Sequence, residues 1–223
     1  GRINTVAGGN SNGSELNQLN APSSVHVHSN GDLYILDANN RRIVKWTKGS
    51  TVGESLITDL QIDELSGFFI DSNLNIYVAE HQSHKVTKWT PPYIVGNETI
   101  VAGGNGSGSG NNQLNEPFGV FVDESQNIYV SDGQNHRVMK WAPNASEGVL
   151  VAGGNGAGSA LNQLHYPMEL YVHHSGDIYI TDESNGRIIK WGNGDSEGIV
   201  VAKNLAVPSC LLYTSPSPRD QLQ

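Results

Sequence analysis

The sequence predicts an all-β fold assembled from repeated four-stranded sheets, and three observations carry that expectation. Residues 32–46, 75–89, 127–141 and 177–191 align with one another without a gap. In each stretch a tyrosine precedes a tryptophan by 12 positions: Tyr34 and Trp46, Tyr77 and Trp89, Tyr129 and Trp141, Tyr179 and Trp191. The tryptophans recur at intervals of 43, 52 and 50 residues, so all variation in length falls outside the Tyr-to-Trp segment. That is the pattern of a packed core joined by loops.

Within one repeat the elements follow in order. A short apolar run comes first (Val25–Val27, Phe68–Ile70, Val120–Val122, Leu170–Val172) and reads as a strand covered on both faces. A hairpin follows. In the third repeat Asn127–Val130 is β-branched and aromatic, Ser131–His136 is a polar turn, and Arg137–Trp141 alternates. A fourth strand ends in Ala-Gly-Gly at 149–154, matched at 99–104 and 4–9. A lone four-stranded sheet cannot bury both faces, so units of this kind stack radially as blades of a β-propeller. The predicted blades are 21–58, 64–104, 116–154 and 166–204, with 1–9 as the outermost strand of a preceding blade. Trp46, Trp89, Trp141 and Trp191 are expected in the seams, where a buried aromatic contributes a gross ~4–6 kcal/mol. A helical solenoid is excluded because Gly and Asn interrupt every window long enough for a 3.6-residue period.

Composition narrows the function. The chain has 223 residues, 26 of them glycine, and only 16% are charged, which fits a turn-rich β protein. With 22 acidic against 13 basic side chains, the net charge of −9 argues against the basic surface that nucleic-acid binders use. No apolar run is long enough to span a bilayer, and the start at Gly1 offers no readable targeting signal. From Cys210 to Asp220 the string CLLYTSPSPRD matches nothing earlier and resembles translated sequencing adapter, so 210–223 is read as a non-native tail. Cys210 is the only cysteine, which leaves residues 1–209 with neither a disulfide nor a thiol nucleophile.

The aligned cores resemble NHL repeats. The pattern Pro-x-Gly, apolar strand, Asp, Asn-Ile-Tyr-Val, Asp-x-x-Asn-x-Arg is complete from Pro117 to Arg137. The first repeat keeps Pro22, Asp37, Asn40 and Arg42 but has His28 for the first Asp. The fourth keeps Pro167, Asp182, Asn185 and Arg187, with His173 for that Asp. The second departs furthest, with Leu65 for Pro, Glu80 for Asp, Ser83 for Asn and Lys85 for Arg. The resemblance implies a six-bladed propeller of which four blades are present, an open arc with two uncovered faces.

The set Asp37/Asn40/Arg42, Asp132/Asn135/Arg137 and Asp182/Asn185/Arg187 recurs with blade geometry. It is expected to build turns, with Asn supplying left-handed backbone and Arg pairing with a carboxylate. The Gly-rich segments 8–22, 103–117 and 153–167 join strand to strand, so their glycine spacing is no nucleotide fingerprint. Phe118, Tyr166 and Met168 just beyond them, with His84 and His136, form the expected partner-contact rim. His81 and His84 read as turn residues, and His28 and His173 share one repeat position. No histidine pair supplies the three or four ligands a metal needs. Four sequons, at Asn12, Asn97, Asn105 and Asn144, are about what this composition gives by chance. No catalytic residue, cofactor or metal ligand is assigned.

The expected function is a non-enzymatic binding or scaffolding module engaging a protein or small ligand through one rim. The resemblance also implies two alternatives: a fragment of a propeller enzyme of the amidating-lyase or metal-dependent hydrolase type, and an RNA-binding propeller.

Overall fold

The computed structural model describes residues 4–62 and 66–206. The expectations for Leu65, for Cys210 and for the tail 210–223 fall outside those residues. Sixteen strands form four antiparallel sheets, each a simple meander. The sheets are β1 (Pro22–Val27) to β4 (Glu54–Ile57), with β2 (Leu33–Asp37) and β3 (Arg42–Trp46) between them; β5 (Gly67–Ile70), β6 (Ile76–Glu80), β7 (Lys85–Trp89) and β8 (Thr99–Gly103); β9 (Pro117–Val122), β10 (Ile128–Asp132), β11 (Arg137–Trp141) and β12 (Val149–Gly153); and β13 (Pro167–Val172), β14 (Ile178–Asp182), β15 (Arg187–Trp191) and β16 (Ile199–Lys203). The fold is a β-propeller. The chain divides into two compact units, one holding the first sheet and ending at Leu60, the other running from Gln61 and holding the remaining three.

The hairpin predicted in every repeat is present with one register. Asp37 faces Arg42, Glu80 faces Lys85, Asp132 faces Arg137 and Asp182 faces Arg187. Each turn is a single 3₁₀ turn closed by one left-handed residue: Arg41, His84, His136 or Gly186. This corrects the sequence reading, which gave that conformation to Asn40, Asn135 and Asn185. The left-handed residue is the next one along, and the Asn side chain bonds instead.

In the second unit the inner strands β5, β9 and β13 lie side by side and the sheets pack face to face. Trp141 fills the seam between the second and third blades, against Tyr77, Val86, Ala102, Val120 and Val130. Trp191 repeats the arrangement between the third and fourth, against Tyr129, Val138, Ala152 and Leu170. Leu114 and Leu164, each 0% exposed, come down from the Gly-rich connectors to close these seams from one end. All four tryptophans are buried.

Two expectations fail in the first unit. β1 was predicted to be covered on both faces, yet Val25 and Val27 are 49% and 41% exposed. Residues 4–9 form no strand, since a strand needs a laddered neighbour and none is described beside them. Their end keeps the repeat geometry nonetheless. Gly8 and Gly9 have φ of 65° and 84°, against 67° and 84° at Gly103 and Gly104. Among the described residues no helix is long and apolar enough to cross a membrane.

Candidate functional site

One end of each sheet carries the start of the inner strand, the 3₁₀ turn and the Gly-rich connector, and the repeated polar residues gather there. Asp132 is fully buried. Its Oδ1 accepts the Asn115 N–H at 2.7 Å, and its Oδ2 accepts Asn135 Nδ2 at 2.9 Å and Arg137 Nε at 2.7 Å. The remaining Arg137 donors reach the carbonyls of Ser109, Gly110 and Gln113, all in the connector. The same bonds recur around Asp37 and Arg42, to Ser14, Glu15 and Gln18, and around Asp182 and Arg187, to Ser159, Ala160 and Gln163. All three nitrogens of each guanidinium bond within the protein, so this set holds the loops in place.

In the second unit the same end forms a mouth above the inner strands. Gly67 and Gly119 let those strands close up: a Cβ on Gly67 would lie 2.6 Å from the Phe118 carbonyl oxygen, and one on Gly119 2.6 Å from that of Met168. Glu169 occupies the equivalent position on β13. Its Oε1 lies 3.3 Å from the place a Gly67 Cβ would take, so the carboxyl reaches back over β9 to β5. Burial among these strands pushes its pKa up to about 7. The Glu169 main chain is fixed by Thr181, whose Oγ1 accepts its N–H at 2.8 Å.

Beside it the Phe118 ring sits between His81, at 4.9 Å, and Tyr166, at 5.2 Å. Tyr166 donates its hydroxyl to Glu116 Oε2 at 2.8 Å, and His81 Nε2 lies 3.6 Å from the same oxygen. Against the cost of burial, the hydrogen bonds from Tyr166 and Gln134 and the nearby His81 and His84 hold the Glu116 carboxyl below the usual range. The mouth therefore pairs an ionised carboxylate with one that titrates near neutrality, beside a tyrosine and a half-buried methionine.

The structure places the five expected contact residues differently. Tyr166 and Met168 are half-buried at the mouth, whereas Phe118 is only 3% exposed and serves as packing beneath it. His84 and His136 are half-buried in the seams, each accepting an N–H of the next blade at Nδ1, from Glu116 at 3.2 Å and from Tyr166 at 3.3 Å. They join blades and do not stand out on a surface. His81, read as a surface turn residue, is 8% exposed. The sequence reading missed Glu116 and Glu169. The signal for Glu169 was available: Pro167-Met168-Glu169 stands where the third repeat has Pro117-Phe118-Gly119. Among the described residues no three His, Cys, Asp or Glu side chains gather as a metal site would require.

The class these features define is a β-propeller with a polar mouth at its inner strands. Comparison with solved structures agrees on the fold. A streptogramin B lyase superposes with a TM-score of 0.62 at 14% identity, over 85% of this chain and 57% of its own. A structure of the nidogen/laminin complex gives 0.63 at 19% identity, over 81% and 63%. A gluconolactonase from Xanthomonas campestris gives 0.61 at 15% identity, over 81% and 62%. The chain thus spans less than two thirds of each. No protein-family model matches it, and no curated protein does.

Proposed function

We propose that this chain is part of an NHL-type propeller, six-bladed when whole, that binds a protein or small ligand at the inner-strand mouth. The observation that supports this most is the asymmetry of that mouth. The repeated Asp-Asn-Arg sets spend their donors internally, whereas Glu169 departs from the repeat and has a carboxyl free of the clamp bonds. A residue that breaks a repeat at a polar mouth is better explained by recognition than by packing, and a rigid scaffold with variable ends is how propellers are used. The structural neighbours include a lyase, a gluconolactonase and a nidogen/laminin complex, so the fold leaves the choice to the site.

A photocrosslinking residue at Met168, and separately at the exposed Asn193 at the opposite end of the same sheet, tests the reading. Binding at the mouth predicts a discrete crosslinked partner from position 168 and none from 193. Equal capture at both positions refutes it. Turnover of a lactone or a streptogramin, abolished by Glu169→Gln, would replace it with a catalytic function.

A further inference from the structure

We infer that His84 and His136 are latches that fasten successive blades at the mouth through Nδ1, and that a proton taken up at Nδ1 of His136 releases the latch it forms. Each histidine closes the 3₁₀ turn of its own blade in left-handed backbone, with φ of 54° and 53°. Each turns its Nδ1 to the next blade, where it accepts a main-chain N–H: from Glu116 for His84 and from Tyr166 for His136. Those acceptors' partners are themselves strained. Glu116 and Tyr166 have φ of 54° and 57°, a conformation unfavourable for residues with a Cβ, and each immediately precedes the proline that starts an inner strand.

A neutral imidazole carries one acceptor nitrogen, and an imidazolium carries none. Since Nδ1 is the acceptor in both latches, the neutral ring must hold its hydrogen on Nε2. Protonation of His136 then sets an N–H against the amide N–H of Tyr166. The equivalent turn residues in the other repeats are Arg41 and Gly186, so the device belongs to these two seams.

The surroundings of His136 fix the direction of its response. It is faced by His165 of the next blade, at 5.4 Å, and by Asp132 and Asp182 from the two sheets, while the adjacent Arg137 is bound to Asp132. Burial first and His165 second lower its pKa, with the two aspartates and a hydrogen bond to the Gly133 carbonyl opposing. The latch therefore stays closed at neutral pH and opens below it. The His84 latch lies beside the Glu116 carboxylate, while the adjacent Lys85 pairs with Glu80. The inference does not depend on what the mouth binds.

Amide hydrogen exchange on the whole chain tests it, with the Glu116 and Tyr166 amides followed against Val130 in the β10 ladder. As pH falls from about 7.5 through the folded value of His136, the Tyr166 amide should lose protection relative to Val130. In His136→Asn, whose carbonyl accepts without titrating and whose backbone tolerates the left-handed region, that loss should vanish, and in His84→Asn it should persist. Loss at Tyr166 that persists in His136→Asn, or that tracks Val130 throughout, overturns the inference. Nitrogen shifts of the two imidazoles in the unsubstituted protein provide a check without any variant: an Nδ1–H tautomer at neutral pH for either ring overturns that latch.

Discussion

A guanidinium has five N–H donors in one plane, and Arg137 directs its bonds to a single carboxylate and three carbonyls. The geometry turns a flexible 15-residue connector into a fixed cap over the seam, with Leu114 pressed beneath it. Arg137→Met leaves Asp132 buried without its counter-ion, and such losses cost about 3–5 kcal/mol. Arg137→Lys keeps the charge but cannot fork to three carbonyls, so about 1–3 kcal/mol should be lost. Urea denaturation distinguishes the cases, and equal effects from the two variants would show that charge alone matters. The second repeat is a natural version of the experiment. Lys85 pairs with Glu80 at 3.2 Å, and the blade lacks the Gly-rich connector altogether. That the motif was structural could be read from its recurrence. What it held could not, because carbonyl acceptors leave no mark in a sequence. The co-loss of connector and arginine in one repeat was the available clue. The corner at the other end of the sheet behaves likewise. Asp71 and Asp123 accept bonds from Asn75 and Asn127, and where His28 and His173 replace them, Asp32 and Asp177 replace the asparagines and pair with Lys45 and Lys190. Each blade keeps a carboxylate, moved by four residues.

At the scale of the element, the blade seam depends on a large side chain meeting a small one. A Cβ on Gly148 would lie 2.9 Å from the Trp141 indole, and one on Gly198 would lie 2.7 Å from that of Trp191. Trp141→Ala should destabilise the protein by about 3–5 kcal/mol through the cavity it leaves. A loss below about 1 kcal/mol would mean the indole does not fill the seam. Gly148→Ala adds one methyl group to a full space and should cost about 1–3 kcal/mol. Here φ plays no part, as Gly148 is not left-handed. Pairing Gly148→Ala with Trp141→Phe should recover part of the loss if overpacking against the indole is its cause, and none if the glycine acts through its backbone. Hairpins, strand order and tryptophan seams were legible because apolar periodicity records burial on both sides of a sheet. The exposure of β1 was not, since the same apolar run appears whether or not a neighbouring sheet covers it.

At the scale of the molecule, the mouth sets two titrations of opposite sign against each other. Glu169 has a folded pKa of about 7 against 4.5 when free. The native state therefore binds that proton more tightly, and the stability this supplies is complete at low pH and is lost as pH rises from about 4.5 to about 7. His136 has its folded value below the free 6.5. The native state resists that proton, so the corresponding stability is complete above 6.5 and is lost as pH falls through the folded value. Between about pH 4.5 and 6.5 the two slopes oppose each other, and only the fall due to Glu169 continues above that range. Glu169→Gln removes this fall. It should raise stability by about 1–3 kcal/mol at pH 8, where the wild-type carboxyl is charged and half-buried, and change it little at pH 5, where the carboxyl is already neutral. The pH of maximum stability should move upward in the variant, with an acid-side loss remaining to which His136 contributes. Denaturant titrations from pH 5 to 8 measure both effects. A gain that is the same at every pH would mean that Glu169 strains the strands by its size, and that its charge has no part in shaping the mouth.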